Sequence, residues 1–268
     1  GAKQDVSVDA QTSPSFDQFL LRNLVIAAPQ MTLRGQADLD ENFAVSNANL
    51  AADVSDLAIF APISGLDLSG QGNVRLDNLI WSTEQGLNTD IAIATTQTGF
   101  GIADLDRIVG LNPVIKGAVL LSPDLDLAVD IPNLETAMIT GPVKVDISQD
   151  FAKLAVTSEL DLAPGVVPPG IGVAIAPAKL NVALNGDIAA PPGNINLRVP
   201  SIEAGGQKFE NVRLATNMTW SDQAVLSLIN RAQFALAGRD YDLGANVILP
   251  SDGLRVEAIS LRGDHIEL

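Results

Sequence analysis

Residues 178–199 read AKLNVALNGDIAAPPGNINLRV. Leu180, Val182 and Leu184 alternate with Asn181, Ala183 and Asn185. Asn185-Gly186 and Pro191-Pro192-Gly193 then interrupt, and Ile195, Leu197 and Val199 alternate with Asn196 and Arg198. A period of two places every branched residue of a strand on one face and every small or polar one on the other. Two such runs separated by turn signals predict antiparallel strands in a sheet that is wet on one side.

The same pattern extends outward in both directions. Leu154 and Val156 alternate with Ala155 and Thr157, and Val143, Val145 and Ile147 with Lys144, Asp146 and Ser148. Leu125, Leu127, Val129 and Ile131 alternate with Asp126, Ala128 and Asp130; Ile91 and Ile93 alternate with Ala92 and Ala94. Towards the C-terminus, Val212, Leu214 and Met218 stand against Arg213, Ala215 and Thr219. Pro164-Gly165 and Ser251-Asp252-Gly253 punctuate further runs. These patterns predict an all-β fold of roughly fifteen short strands with two or three short helices.

Helical spacing is confined to short stretches. Asp104 to Leu111 sets Leu105, Ile108 and Val109 on one face behind an Asp cap, and Asp53 to Phe60 fits a turn or two before Pro62. Asp222 to Arg231 fits a helix through Val225, Leu228 and Ile229, or a strand through Leu226 and Leu228. Residues 56–77 and 104–127 echo each other at an offset of 47 or 48 residues, each with Asp-Leu, an apolar stretch, a break and then a strand. No low-complexity linker divides the chain, so the expectation is one elongated domain over residues 1–268.

Composition narrows the chemistry. Sixteen basic and 32 acidic residues leave a formal charge of −16, which repels phosphate backbones, so no nucleic acid is expected as a partner. Hydrophobic residues reach 47%, too many for a disordered acidic tail. The absence of Cys removes disulfides, thiolate nucleophiles and thiolate metal sites. The single His, His265, has no visible partner and reads as a surface residue. No run of 18 apolar residues and no secretory leader is visible.

The remaining motifs read as structure. Gly99-Phe100-Gly101 approaches a dinucleotide loop, but Asp104 stands where a third glycine belongs and would meet the pyrophosphate with charge. Asp104 with Asp106 and Asp124 with Asp126 follow from the abundance of acids and read as a solvated face, not a glycosidase pair. The nucleophile elbow, the phosphate loop and the glycine-rich calcium repeat are absent. Asn217-Met218-Thr219 matches a glycosylation sequon inside a strand pattern. No catalytic residue, metal or cofactor is expected. The apolar face is what remains, and periodicity alone favours a filled core over an open groove.

Leu21-Arg22-Asn23-Leu24-Val25-Ile26 leads to Gly35-Gln36-Ala37-Asp38-Leu39, and Glu203-Ala204-Gly205-Gly206-Gln207-Lys208-Phe209 leads to Val212-Arg213-Leu214. With the units at 56–77 and 104–127, these phrases resemble the AsmA-like superfamily, most closely the TamB proteins of the bacterial translocation and assembly module. The resemblance implies an elongated, U-shaped (taco-like) amphipathic β-sheet with an apolar groove. It also implies that the chain is a periplasmic segment of a longer, inner-membrane-anchored protein, with membrane contact through parts outside this sequence. The implied activity is carriage of phospholipid acyl chains between envelope membranes, with an outer-membrane barrel as partner. The implied groove lining is the set of alternating aliphatics from Leu125 to Met218 named above. Two alternatives stay open: a scaffold that pairs with strands of outer-membrane proteins, and a filled-core β-solenoid.

Overall fold

In a computed structural model of the chain, the alternation is realised as strands. The structure describes residues 5–13, 17–148, 151–168, 170–221, 226–249, 254–263 and 266–267. Among these are eighteen strands and two short α-helices, so the fold is all-β and the sheet is open and antiparallel. The chain divides into two compact units, Gly1–Ala137 and Met138–Leu268.

The first unit is a meander of β1 (Asp5–Thr12), β2 (Gln18–Ala28), β3 (Met31–Asp40), β4 (Val45–Val54), β5 (Ser69–Ser82), β6 (Gly86–Gly99), β7 (Val114–Leu121) and β8 (Leu127–Glu135). Each strand pairs antiparallel with the next. The register aligns Val6, Ile26, Leu33, Ala52, Val74, Ile93, Ile115 and Leu134 in one row across all eight strands. One residue along, the row reads Ser7, Val25, Arg34, Ala51, Arg75, Ala92, Lys116 and Asn133. A single-residue step thus switches from an apolar to a predominantly polar face, as the pleat requires.

The second unit repeats this design with β9 (Ile139–Ser148), β10 (Lys153–Leu162), β11 (Val173–Ile175), β12 (Ala178–Asp187), β13 (Gly193–Ala204), β14 (Gln207–Trp220), β15 (Leu226–Leu236), β16 (Arg239–Leu249), β17 (Arg255–Gly263) and β18 (Ile266–Glu267). Val145, Val156, Leu184, Gly193, Met218, Leu228, Val247 and Val256 form one apolar row. The adjoining row is Lys144, Thr157, Ala183, Asn194, Asn217, Ile229, Asn246 and Ala258. Bulges at Asn23, Asn78 and Asn211, each with φ near the left-handed region, bend their strands without exchanging the faces wholesale.

The helices lie in strand connections and differ from the sequence expectation. β4 continues to Val54, so helical structure begins only at Leu57, in a 3-10 turn (Leu57–Phe60) whose cap is Asp56, accepting from the Ala58 N–H at 2.9 Å. It passes directly into α1 (Ala61–Ser64), because Pro62 is tolerated in a first turn, where its missing N–H has no partner to lose. In α2 (Ala103–Val109) the capping position is Ile102, not Asp104. Asp106 instead accepts the Phe100 N–H at 2.6 Å, which occupies with a carboxylate the loop amide that a phosphate would need. The ambiguous stretch resolves as strand from Leu226 onward; Asp222 to Val225, like Ser251-Asp252-Gly253 and His265, lie outside the described residues. No helix among the described residues is long and apolar enough to cross a membrane.

Candidate functional site

A sheet that buries its apolar face needs a second layer about 10 Å away. Among the described residues only Ala48, Val54, Leu162, Ala178 and Val199 are buried hydrophobics. The inner residues of both apolar rows, Ile26 to Leu134 and Val145 to Val247, are neither buried nor fully exposed. Among the described residues, both rows therefore keep part of their apolar surface accessible. Total exposed area agrees: the chain presents 16309 Å², whereas two compact globules of half its mass would together present about 13,400 Å². The excess fits an open sheet better than two closed globules.

Buried side chains gather where β10, β12 and β13 meet, and in β4 at Ala48 and Val54. In the second unit the chain leaving β10 folds back through a 3-10 turn (Pro164–Val166) and β11, which pairs with the far end of β13. Val166 and Ile175 from this segment pack with Leu162, Ala178 and Val199 into a small closed cluster. In the first unit the turn after β4 brings Leu57 against Gly72, where an added Cβ would come within 3.1 Å of the leucine methyl.

The aliphatics named from the sequence distribute as follows. Leu127 lies opposite Leu121 and Val129 opposite Val119 on the apolar face of β8, and Ile131 follows near a bulge. Leu125 is a correction: it is in the turn between β7 and β8, with φ 64°, because its N–H donates to the Ser122 carbonyl and the ladder resumes only at Leu127. Val143, Val145 and Ile147 face Ser158, Val156 and Leu154 across β9 and β10. Leu180, Val182 and Leu184 face Leu197, Ile195 and Gly193. Leu214 and Met218 continue the same face on β14, and Val212 meets it beside the cluster. Val199 is the second correction, being 2% exposed within the closed cluster and therefore core, not lining. The first three placed residues belong to one unit and the rest to the other.

Sequence reasoning passed over the apolar row of the first unit and the face of β15 and β16. The Ile91 and Ile93 alternation was a signal for the former. For the latter the helix-compatible spacing of Val225, Leu228 and Ile229 masked the strand. The face of β14 to β16 ends in aromatics: Phe234 meets Phe209 edge-on at 5.4 Å and stacks on Tyr241 at 5.5 Å. Its polar interruption is self-satisfied, since the Thr216 hydroxyl donates to Asn230 Oδ1 at 2.8 Å and Asn230 Nδ2 donates to the Leu228 carbonyl.

Charge collects on the opposite faces. Arg34 pairs with Asp53 and Lys179 with Asp161, each at 2.9 Å. Arg231 bonds Asp242 through Nε at 3.0 Å; this hydrogen bond, with a lesser one from Gln233, holds the Asp242 carboxyl below its ordinary value. A hollow of about 320 Å³ in the second unit is lined by polar groups of Lys144, Thr157, Glu159 and Asn194 together with Pro142, Val182 and Ala183. Among the described residues no three His, Cys, Asp or Glu side chains converge to hold a metal ion. Compared with known proteins, the chain matches no family model, no curated protein and no solved structure.

Proposed function

We propose that this chain is a non-enzymatic carrier segment whose apolar faces hold phospholipid acyl chains, as in the AsmA-like proteins it resembles, within the bacterial envelope between inner and outer membranes. The observation that carries the reading is the row of aliphatics that crosses every strand from β1 to β8, partly exposed at each inner step. A uniform aliphatic surface gains about 0.8 kcal/mol for each methylene taken from water. Its rows carry no charged group at which a chain must stop, and the Thr216–Asn230 pair is already satisfied, so binding is strong and position is loose. Eight strands at about 4.8 Å spacing extend such a row over roughly 34 Å within one unit. A polar headgroup would stay in water at the uncovered side.

A scaffold that adds strands is the competing reading, favoured by one feature. Among the described residues, β17 is paired on its outer side only at Arg262 and Gly263, which leaves the rest of that edge open to another strand. Two experiments separate the cases. Native mass spectrometry of detergent-free protein, followed by lipid extraction, should find phospholipid near one or more equivalents. Val145→Glu, a change at a partly covered position opposite Val156, should keep the circular dichroism of the parent and lose the lipid. In a filled core the same buried charge would unfold the protein. A clean protein mass that ignores added phospholipid would sink the carrier reading and leave the strand-adding scaffold.

A further inference from the structure

The turns joining β3 to β4 and β7 to β8 are built alike. Phe43 N–H donates to the Asp40 carbonyl and Asp40 N–H to the Ala44 carbonyl, both at 3.0 Å. Leu125 N–H donates to the Ser122 carbonyl at 3.0 Å and Ser122 N–H to the Asp126 carbonyl at 2.8 Å. The Asp40 carboxylate also accepts from Asn42 and Ala44, and the Ser122 hydroxyl accepts from Asp126. In each turn the third residue is left-handed, with φ 61° at Phe43 and 64° at Leu125. Three-residue hairpins place glycine at that position, because a Cβ there crowds the backbone. Here the position holds a phenylalanine that is 63% exposed and a leucine that is 48% exposed. Backbone strain and solvation both argue against a large apolar side chain at these sites, yet both turns have one. In the second unit Phe151, between β9 and β10, repeats the feature with φ 65°.

The direction of these side chains follows from the ladder. Leu39 opposite Val45, and Leu121 opposite Leu127, are the apolar-face pairs nearest the two turns. Equal turns on equally phased hairpins aim their third residues the same way, and the antiparallel alternation sets both turns at the same strand end. Phe43 shows the aim: its ring stacks at 5.5 Å on Phe19, which lies opposite Leu39 on the apolar face. We propose that Phe43 and Leu125 form a hydrophobic lip that closes over acyl chains lying on the apolar face of the first unit and slows their escape. The proposal rests on the carrier reading above. The lip serves a chain held by the protein itself, not insertion into an anionic bilayer, because Asp40 and Glu41 flank Phe43, and Asp124 and Asp126 flank Leu125.

The test is Phe43→Gly with Leu125→Gly in the whole chain, glycine being the residue that the backbone at both sites prefers. The readouts are thermal unfolding and the rate at which a fluorescent phosphatidylcholine leaves the protein for acceptor vesicles. The expected result is an unfolding temperature equal to or above the parent's, with release faster by about tenfold from lost methylene contacts. Parental release rates in a variant that still loads lipid would overturn the lip and leave the carrier reading standing. A clear drop in unfolding temperature would also overturn it, by showing that the side chains are structural packing. Equal release combined with loss of binding to vesicles of phosphatidylcholine and phosphatidylglycerol would reassign them to membrane insertion, against the proposal. A parent protein that takes up no phospholipid would remove the carrier reading, and the lip with it.

Discussion

A single side chain of this protein matters according to which face of its strand it occupies, and Asp242 illustrates the polar face. Arg231 bonds its carboxylate, so its folded-state pKa lies below the ordinary 3.8. A depressed carboxyl contributes stability above its unfolded pKa, and that contribution disappears as pH falls through the lower folded value. The group is near the surface, so the contribution is less than about 1 kcal/mol. Asp242→Asn should therefore lower the urea midpoint slightly at pH 6. The gap between variant and parent should shrink as pH falls below the ordinary carboxyl range and close once pH is below the depressed folded-state value. A gap that stays constant over that range would mean that the ion pair contributes nothing and that another contact of Asp242 was lost.

At the scale of elements, stability should divide between the covered and uncovered stretches of the same strands. Ile175 on β11 packs against the closed cluster of Leu162, Ala178 and Val199, whereas Ile115 on β7 lies in a partly exposed row outside that cluster. Truncating a packed aliphatic removes transfer energy and leaves a cavity, while truncating one with water on one side leaves no cavity. Ile175→Ala is expected to cost about 2 kcal/mol or more, and Ile115→Ala about 1 kcal/mol. Urea unfolding of the two variants checks this. Equal losses would mean that the row containing Ile115 is covered after all. The glycines belong to the same scale: at Gly117 an added Cβ would lie 2.2 Å from the Asp130 carbonyl, so β7 and β8 touch there only because a side chain is missing.

For the molecule as a whole, the proposed carrier role predicts a response to ligand. The charge of −16 resides on a chain with 18% charged residues, and the pairs described here lie on the polar faces, which leaves the apolar rows free of charge. A ligand that covers those rows binds the folded state alone and stabilises it by mass action, by about 2.7 kcal/mol at a hundredfold excess over its dissociation constant. Two-chain phospholipid below its vesicle-forming concentration should therefore raise the unfolding temperature by roughly 5–10 °C. Glycerophosphocholine, with the same headgroup and no acyl chains, should leave it unchanged. Equal shifts from both compounds would assign the binding to the polar face.

The alternation from Leu180 to Val199 was sufficient to specify an antiparallel sheet with one apolar side, because the faces of a strand follow from the pleat and need no knowledge of neighbours. Pro191-Pro192 marked a break for the same local reason, whereas Asn185-Gly186, read as a break, lies inside β12, which stays paired to Asp187. Leu125 was misplaced because turn and strand share the same alternation there, and only the Ser122 carbonyl bond distinguishes them. Val199 was misassigned because a residue in a closed cluster and one on an open face have the same sequence neighbours. Covering is a property of what lies across from a face. The packing of Val166 and Ile175 with Val199 joins segments at least 24 residues apart, which no local pattern announces. Period-two hydrophobicity therefore determined the strands and their faces, while only the tertiary structure decided which parts of those faces are closed core and which stand open.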